Sequence, residues 1–97
     1  MTAVYALAFK TSALKEWQRL DKAVQTQFKK KLAERLQQPH VPSAKLAGLP
    51  NAYKIKLRAT GFRLVYEVND HTITITVVAV GKREDNAVYQ AARARLS

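Results

Sequence analysis

From Tyr53 to Arg58 the chain alternates without a break: Tyr53, Ile55 and Leu57 are apolar, and Lys54, Lys56 and Arg58 are cationic. A strand sends successive side chains to opposite faces, so this stretch predicts an apolar face turned to a core and a row of three cations on the far side. Two more runs share the period of two, at roughly 62 to 68 and 72 to 80. They are separated by Ala59-Thr60-Gly61 and by Asn69-Asp70-His71, both suited to hairpin connections. Residues 3 to 9 alternate as well, with Tyr5, Leu7 and Phe9 against Val4, Ala6 and Ala8, and predict a first strand.

Between the first strand and the other three the period changes. Thr11 or Ser12 is placed to cap a short helix running to about Leu20, with Ala13, Leu14, Trp17 and Leu20 on its apolar side. A longer helix then reaches about Gln38. Val24, Phe28, Leu32 and Leu36 step at intervals of four, and Lys22, Lys29, Lys30, Lys31 and Arg35 lie on or beside the polar side. So short a connection predicts an antiparallel helical hairpin. Pro39-His40-Val41-Pro42 ends it, and residues 43 to 52 read as a loop anchored by Leu46 and Leu49. The tail from Glu84 to Leu96 is alanine-rich and helix-prone. Its stripe of Val88, Ala92 and Leu96 is thin, so this helix is expected to be weakly held. The chain of 97 residues therefore predicts one domain, residues 1–97, in the order β-α-α-β-β-β-α. That is an α+β fold of two layers, a helical hairpin packed on one face of a small, largely antiparallel four-stranded sheet, with the other face open.

Parity across the strands reads the open face. Phe62, Leu64, Tyr66 and Val68 must face the helices, which sends Arg63, Val65 and Glu67 to the side of the Lys54 row. Ile73, Ile75, Val77 and Ala79 then point inward, with Thr72, Thr74, Thr76 and Val78 outward. The result is a shallow shelf of Lys54, Lys56, Arg58 and Arg63. Gly81-Lys82-Arg83 brings two more cations to its rim, and Tyr89 follows six residues later. Lys82 and Arg83 read equally as strand-end solubilising charges, and Tyr89 as a half-buried helix residue.

Charge narrows the partner class. Seventeen Lys and Arg against seven Asp and Glu give a formal net charge of +10. An excess of that size favours association with polyanions, nucleic acid first, with an acidic protein also compatible. No segment approaches the ~20 apolar residues of a membrane helix, no signal peptide is expected, and no helix offers the bulky apolar face of a peripheral anchor. The absence of cysteine excludes a disulfide scaffold, a thiolate zinc site and a cysteine nucleophile, and is compatible with a reducing cytoplasm. No metal site or cofactor is expected. His40 and His71 lie in a proline-flanked loop and a hairpin turn and are not expected to be catalytic. Glu67 shares the outer face and could tune Arg63.

A basic shelf bordered by one aromatic suits single-stranded nucleic acid, where cations neutralise phosphates and a ring stacks on an unpaired base. The runs Tyr53-Lys54-Ile55-Lys56-Leu57-Arg58, Gly61-Phe62-Arg63-Leu64-Val65-Tyr66 and Val80-Gly81-Lys82-Arg83, followed by Tyr89, resemble in order and spacing the RelE toxins of bacterial toxin–antitoxin pairs. Leu14-Lys15-Glu16-Trp17 and Lys45-Leu46-Ala47-Gly48-Leu49-Pro50 fit the same pattern, although Ala47 stands where relatives can carry a cation. The resemblance implies a cytoplasmic, ribosome-dependent endoribonuclease that cuts mRNA in the A site of the 70S ribosome, leaves a 2′,3′-cyclic phosphate and a 5′-hydroxyl, and so inhibits translation. A cognate acidic, RelB-like antitoxin would cover the shelf or displace the terminal helix.

Carried onto matching positions, the resemblance makes Lys54, Lys56, Arg63, Arg83 and Tyr89 the active site. Lys56 would be the general base, Lys54 and Arg63 would stabilise the phosphorane-like transition state, Arg83 would serve the leaving oxygen, and Tyr89 would stack on or orient the cleaved nucleotide. Arg58, Lys82, Lys45, Lys29, Lys30 and Lys31 are the expected contacts to mRNA or ribosomal RNA. The chemistry is self-consistent, because RNA supplies its own 2′-hydroxyl nucleophile and the protein need only align it, take its proton and spread the phosphate charge. Crowded like charges disfavour the protonated form of an amine, which gives a lysine in such a cluster a route to base catalysis. Arginine holds its proton too tightly for acid catalysis, so electrostatic support of the leaving oxygen is the safer role for Arg83. Two other readings stay open: an RNA- or ribosome-binding module without catalysis, and a gyrase inhibitor like the related ParE toxins.

Overall fold

The computed structural model describes residues 4–82, 84 and 86–96. In it, β1 (Ala6–Phe9) leads into α1 (Thr11–Gln18) and α2 (Lys22–Gln37), and a 3₁₀ turn (Pro42–Ala44) precedes β2 (Ala52–Lys56), β3 (Phe62–Asn69) and β4 (Thr74–Lys82). The chain ends on α3 (Ala87–Leu96). The sheet order is β1-β4-β3-β2; β1 runs parallel to β4, and the two hairpin pairs are antiparallel. The expected α+β architecture is present, with its helical hairpin over one face.

That face holds the main core, built from Ala13 of α1, Val24, Phe28 and Leu32 of α2, and Ile55, Leu57, Leu64, Tyr66, Val68, Ile75, Val77 and Val80 of the sheet strands and their turns. Trp17 stands between Phe9 and Phe28, with ring centroids 5.5 and 6.2 Å away. The four-residue steps of α2 thus bury as their spacing requires. On α1, Ala13 is buried while Leu14 is 40% exposed, so the apolar side of that helix is narrower than expected. The expected Thr11 or Ser12 cap does not form: Lys10 is the N-cap, without a side-chain hydrogen bond, and Thr11 is already helical.

Two departures matter for the site. The register pairs Val65 with Ala79 but Tyr66 with Val77, so Val78 is an extra residue, a β-bulge in β4. The bulge reverses the inside–outside alternation beyond it. Val80 joins the core under the helices, whereas Ala79, expected inward, turns to the opposite face with Val78. The second departure is that this opposite face is not open. α3 packs across it, and Val88, Tyr89 and Ala92 bury Val65, Val78, Ala79 and Ala52 together with Leu46 of the preceding loop. Tyr89 supplies the apolar area that the alanine stripe lacks, so α3 is better held than its composition predicts.

Candidate active site

The β2–β3 hairpin sets the geometry of the cationic row. Leu57 N–H donates to the Phe62 carbonyl and Gly61 N–H to the Leu57 carbonyl, at 2.9 and 2.8 Å, closing a turn in which Gly61 takes φ +77°. A side chain there would be strained, which is why glycine suits the position. The register sets Lys56 directly opposite Arg63 and Lys54 opposite Val65. Lys54, Lys56 and Arg63 therefore share one face, as their parity requires. Arg63 in turn pairs with Gly81, whose missing side chain leaves room for α3: a Cβ at Gly81 would lie 3.2 Å from Val88 Cγ2.

α3 brings Tyr89 onto this face. Arg63 Nη1 donates to the Tyr89 hydroxyl at 2.7 Å. Arg63 Cζ and Lys54 Nζ stand 5.5 and 5.8 Å from the ring centroid, within cation–π range. Tyr89 is only 8% exposed, so its ring is a packed support for two cations rather than a free platform. Arg63 Nε is buried without a hydrogen-bond partner, an orphaned donor at the centre of the cluster.

Lys56 and Arg58 are exposed and border two clefts of ligand size. One, about 310 Å³, continues through Gly61 and Phe62 to Arg63. The other, about 430 Å³, lies between Lys56, Leu57 and Arg58 and the α2 residues Gln27, Lys30 and Lys31. Lys30 and Lys31 are thus joined to the row through Lys56, while Lys29 is exposed on α2 and lines neither cleft. Lys45 borders a separate depression with Leu46, Gly48 and Pro50. Lys82 does not join the shelf: the bulge turns it to the helix side of the sheet, where its Nζ sits 5.8 Å over the Phe62 ring. Arg83 lies outside the described residues.

Glu67 is four residues along β3 from Arg63, roughly 13 Å of strand, and the two form no ion pair; Glu67 lines a different cleft with Asn69, Asp70 and His71. His40 is occupied at the far end of the sheet, where Nε2 lies 2.9 Å from Asp70 Oδ1 and Nδ1 lies 3.0 Å from the Tyr53 hydroxyl. The Tyr5 hydroxyl also donates to Asp70, at 2.7 Å. These bonds, the one from Tyr5 foremost, hold the Asp70 carboxyl below the ordinary carboxylate range.

Two inward-facing charges were not expected as functional groups. Arg35, placed by its sequence beside the polar side of α2, instead donates to the Tyr66 hydroxyl at 2.8 Å and to the Lys54 carbonyl at 3.3 Å, bracing the strand beneath Lys54. Glu16 of α1 accepts from Arg95 of α3 through both carboxylate oxygens, at 2.8 and 3.1 Å. That bond raises the pKa of the Arg95 guanidinium above its ordinary value. A signal for both was available, because each lies three residues from a buried position on its own helix, Ala13 or Leu32.

A small sheet covered by helices on both faces thus holds Lys54 and Arg63 against a buried tyrosine. The family model for the ParE toxin of type II toxin–antitoxin systems matches residues 7–87, and the chain belongs to this RelE/ParE toxin family. It is 49% identical over 92 residues to the mRNA interferase toxin RelE of Escherichia coli strain K12, covering 95% of this chain and 97% of the relative. The free state of an arginine-to-alanine double mutant of E. coli toxin RelE superposes with a TM-score of 0.89 at 47% identity, covering 97% of this chain and 99% of that one. The same mutant toxin in complex with an antitoxin RelBc peptide gives a TM-score of 0.81 at 48% identity, with 92% and 94% covered.

Proposed function

We propose that this protein is a ribosome-dependent mRNA endoribonuclease, the toxin of a pair whose acidic antitoxin neutralises it in the cytoplasm. The observation that carries the reading is the cluster itself: Lys54, Lys56 and Arg63 on one face, with Lys56 opposite Arg63 and Arg63 bonded to Tyr89, in a chain similar to an mRNA interferase.

In the proposed reaction, Lys56 takes the proton of the 2′-hydroxyl as its oxygen bonds to the adjacent phosphorus. Lys54 and Arg63 neutralise the charge on the phosphoryl oxygens. The bond from phosphorus to the 5′-oxygen breaks and that oxygen takes a proton from water, leaving a 2′,3′-cyclic phosphate and a 5′-hydroxyl. Arg83 stabilises the leaving oxygen electrostatically. The burial of Tyr89 favours an orienting role over open stacking. Arg58, Lys30 and Lys31 extend the cationic track for mRNA or ribosomal RNA, and Lys29 and Lys45 add exposed charge beside it. Lys82, over Phe62, is the weakest of the expected contacts. Such a site aligns little of the RNA by itself, and a ribosome that holds the codon bent supplies the missing alignment.

The test is expression of Lys56→Ala. Growth arrest should be lost while the purified variant keeps its fold and its ribosome affinity. A variant as toxic as the parent would refute the assignment. The match to a ParE model supports one competing reading, gyrase inhibition, for which loss of DNA supercoiling with intact mRNA would be the mark.

A further inference from the structure

Strand β1 ends at Phe9, opposite Val77. Beyond that point the outer edge of β4 has no neighbouring strand, and the backbone groups of the bulge are served by two side chains instead. Arg95 Nη1 donates to the Val78 carbonyl at 2.8 Å, and Val80 N–H donates to Glu16 Oε1 at 3.1 Å. Glu16 and Arg95 are themselves joined by the two bonds described above. A carboxylate from α1 and a guanidinium from α3 thus stand in for the missing strand and tie three elements at the bulge. All four contacts are charge-assisted, the stronger kind of hydrogen bond.

Arg95 lies six residues beyond Tyr89 on α3, about 9 Å along the axis. Polar contacts fasten the helix at three places, by Arg95 to the bulge, by Arg93 Nη2 to the Ala47 carbonyl at 3.3 Å, and by Tyr89 to Arg63. Besides Tyr89, the buried side chains of this helix are Val88 and Ala92. Such small residues permit a helix to slide or rotate, so the polar clamp at one end sets where the tyrosine falls at the other.

We propose that Glu16 and Arg95 are positioning residues for the cleavage site, acting through α3 to hold the Tyr89 hydroxyl on Arg63. This rests on the nuclease reading above. Neither residue touches RNA; each fixes the height and rotation of α3, hence the guanidinium of Arg63 beside Lys56. Misplacement by about 1 Å is enough to cost on the order of 100-fold in rate.

The experiment combines Arg95→Met, Arg95→Lys and Glu16→Gln with Tyr89→Phe in the full-length protein. In spectra of ¹³C-tyrosine-labelled protein, Arg95→Met should shift the Tyr89 ring signals and leave those of Tyr66 in place. Single-turnover cleavage on programmed ribosomes should fall about 10- to 100-fold, with the half-saturating ribosome concentration unchanged within about twofold. Glu16→Gln keeps one acceptor oxygen, for Val80 N–H and Arg95 Nη1, and loses the acceptor for Nη2, so its loss should be smaller than that of Arg95→Met. When Tyr89→Phe has already removed the hydroxyl link, Arg95→Met should add little further loss. Equal losses in both backgrounds would mark a merely structural clamp and overturn the proposal, as would unmoved Tyr89 signals in Arg95→Met. Should Arg95→Met fail to fold, Arg95→Lys, whose single nitrogen can stand in for Nη1 but not for Nη2 as well, carries the same comparison with a smaller loss. A parent that cuts no mRNA would refute the nuclease reading, while the Tyr89 signals would still decide the positioning.

Discussion

Replacing Tyr89 by Phe removes one oxygen from the candidate site and leaves the ring. The hydroxyl accepts from Arg63 Nη1 at 2.7 Å, on a guanidinium whose Nε already lacks a partner. A hydrogen bond to a charged group contributes about 1.5–3 kcal/mol. Arg63 is half-buried, so water recovers part of this and the expected loss is about 1–2 kcal/mol. The cation–π contacts of Lys54 and Arg63 survive in Phe. Tyr89→Ala, by contrast, empties a site only 8% exposed, and aromatic-to-alanine changes in cores cost about 3–5 kcal/mol. With a urea m-value of about 2 kcal/mol/M, the middle of the usual range, the denaturation midpoint should fall by roughly 0.5–1 M for Phe and roughly 1.5–2.5 M for Ala. A Phe variant with an unchanged or raised midpoint would show that the hydroxyl does not hold Arg63, and the proposed orienting role of Tyr89 would fall with it.

Gly61→Ala places a side chain at φ +77° and should lower stability by about 1–2 kcal/mol in urea titration, with mRNA cleavage falling too because the turn sets Lys56 against Arg63. Gly81→Ala would set a Cβ 3.2 Å from Val88 Cγ2; hydrogen exchange of the α3 amides should accelerate, while that of α2 stays as in the parent. Asp70 titrates below its ordinary 3.8 because the folded state bonds its ionised form, so its stabilising effect is present above that pH and is lost as pH falls through the lowered value. Tyr5→Phe removes the largest cause, and carboxyl-carbon NMR should show Asp70 titrating closer to 3.8; an unmoved titration would contradict the network.

The alternation from Tyr53 to Arg58 carried most of the site. Because one strand face had to be buried, parity alone put Lys54, Lys56 and Arg63 together, and the register agrees. What parity could not carry was the bulge at Val78, a single residue that redirects Ala79, Val80 and Lys82 without any glycine or proline to announce it. Val65 and Val78 on the nominally open face were the visible sign that something covers it, and α3 does so through Tyr89. Arg35 and Glu16 escaped for another reason. Each sits at an inward helical spacing, yet its partner is far along the chain: Glu16 meets Arg95 across 79 residues, and only the folded sheet brings the two together.

The central claim, that the Lys54–Lys56–Arg63 face cuts RNA, is tested most directly by incubating the purified protein with programmed ribosomes and analysing the mRNA ends. Cleavage within the A-site codon, with a 2′,3′-cyclic phosphate upstream, a 5′-hydroxyl downstream and no cut from Lys56→Ala, is the predicted result. Intact mRNA on ribosomes that bind the parent protein would contradict it.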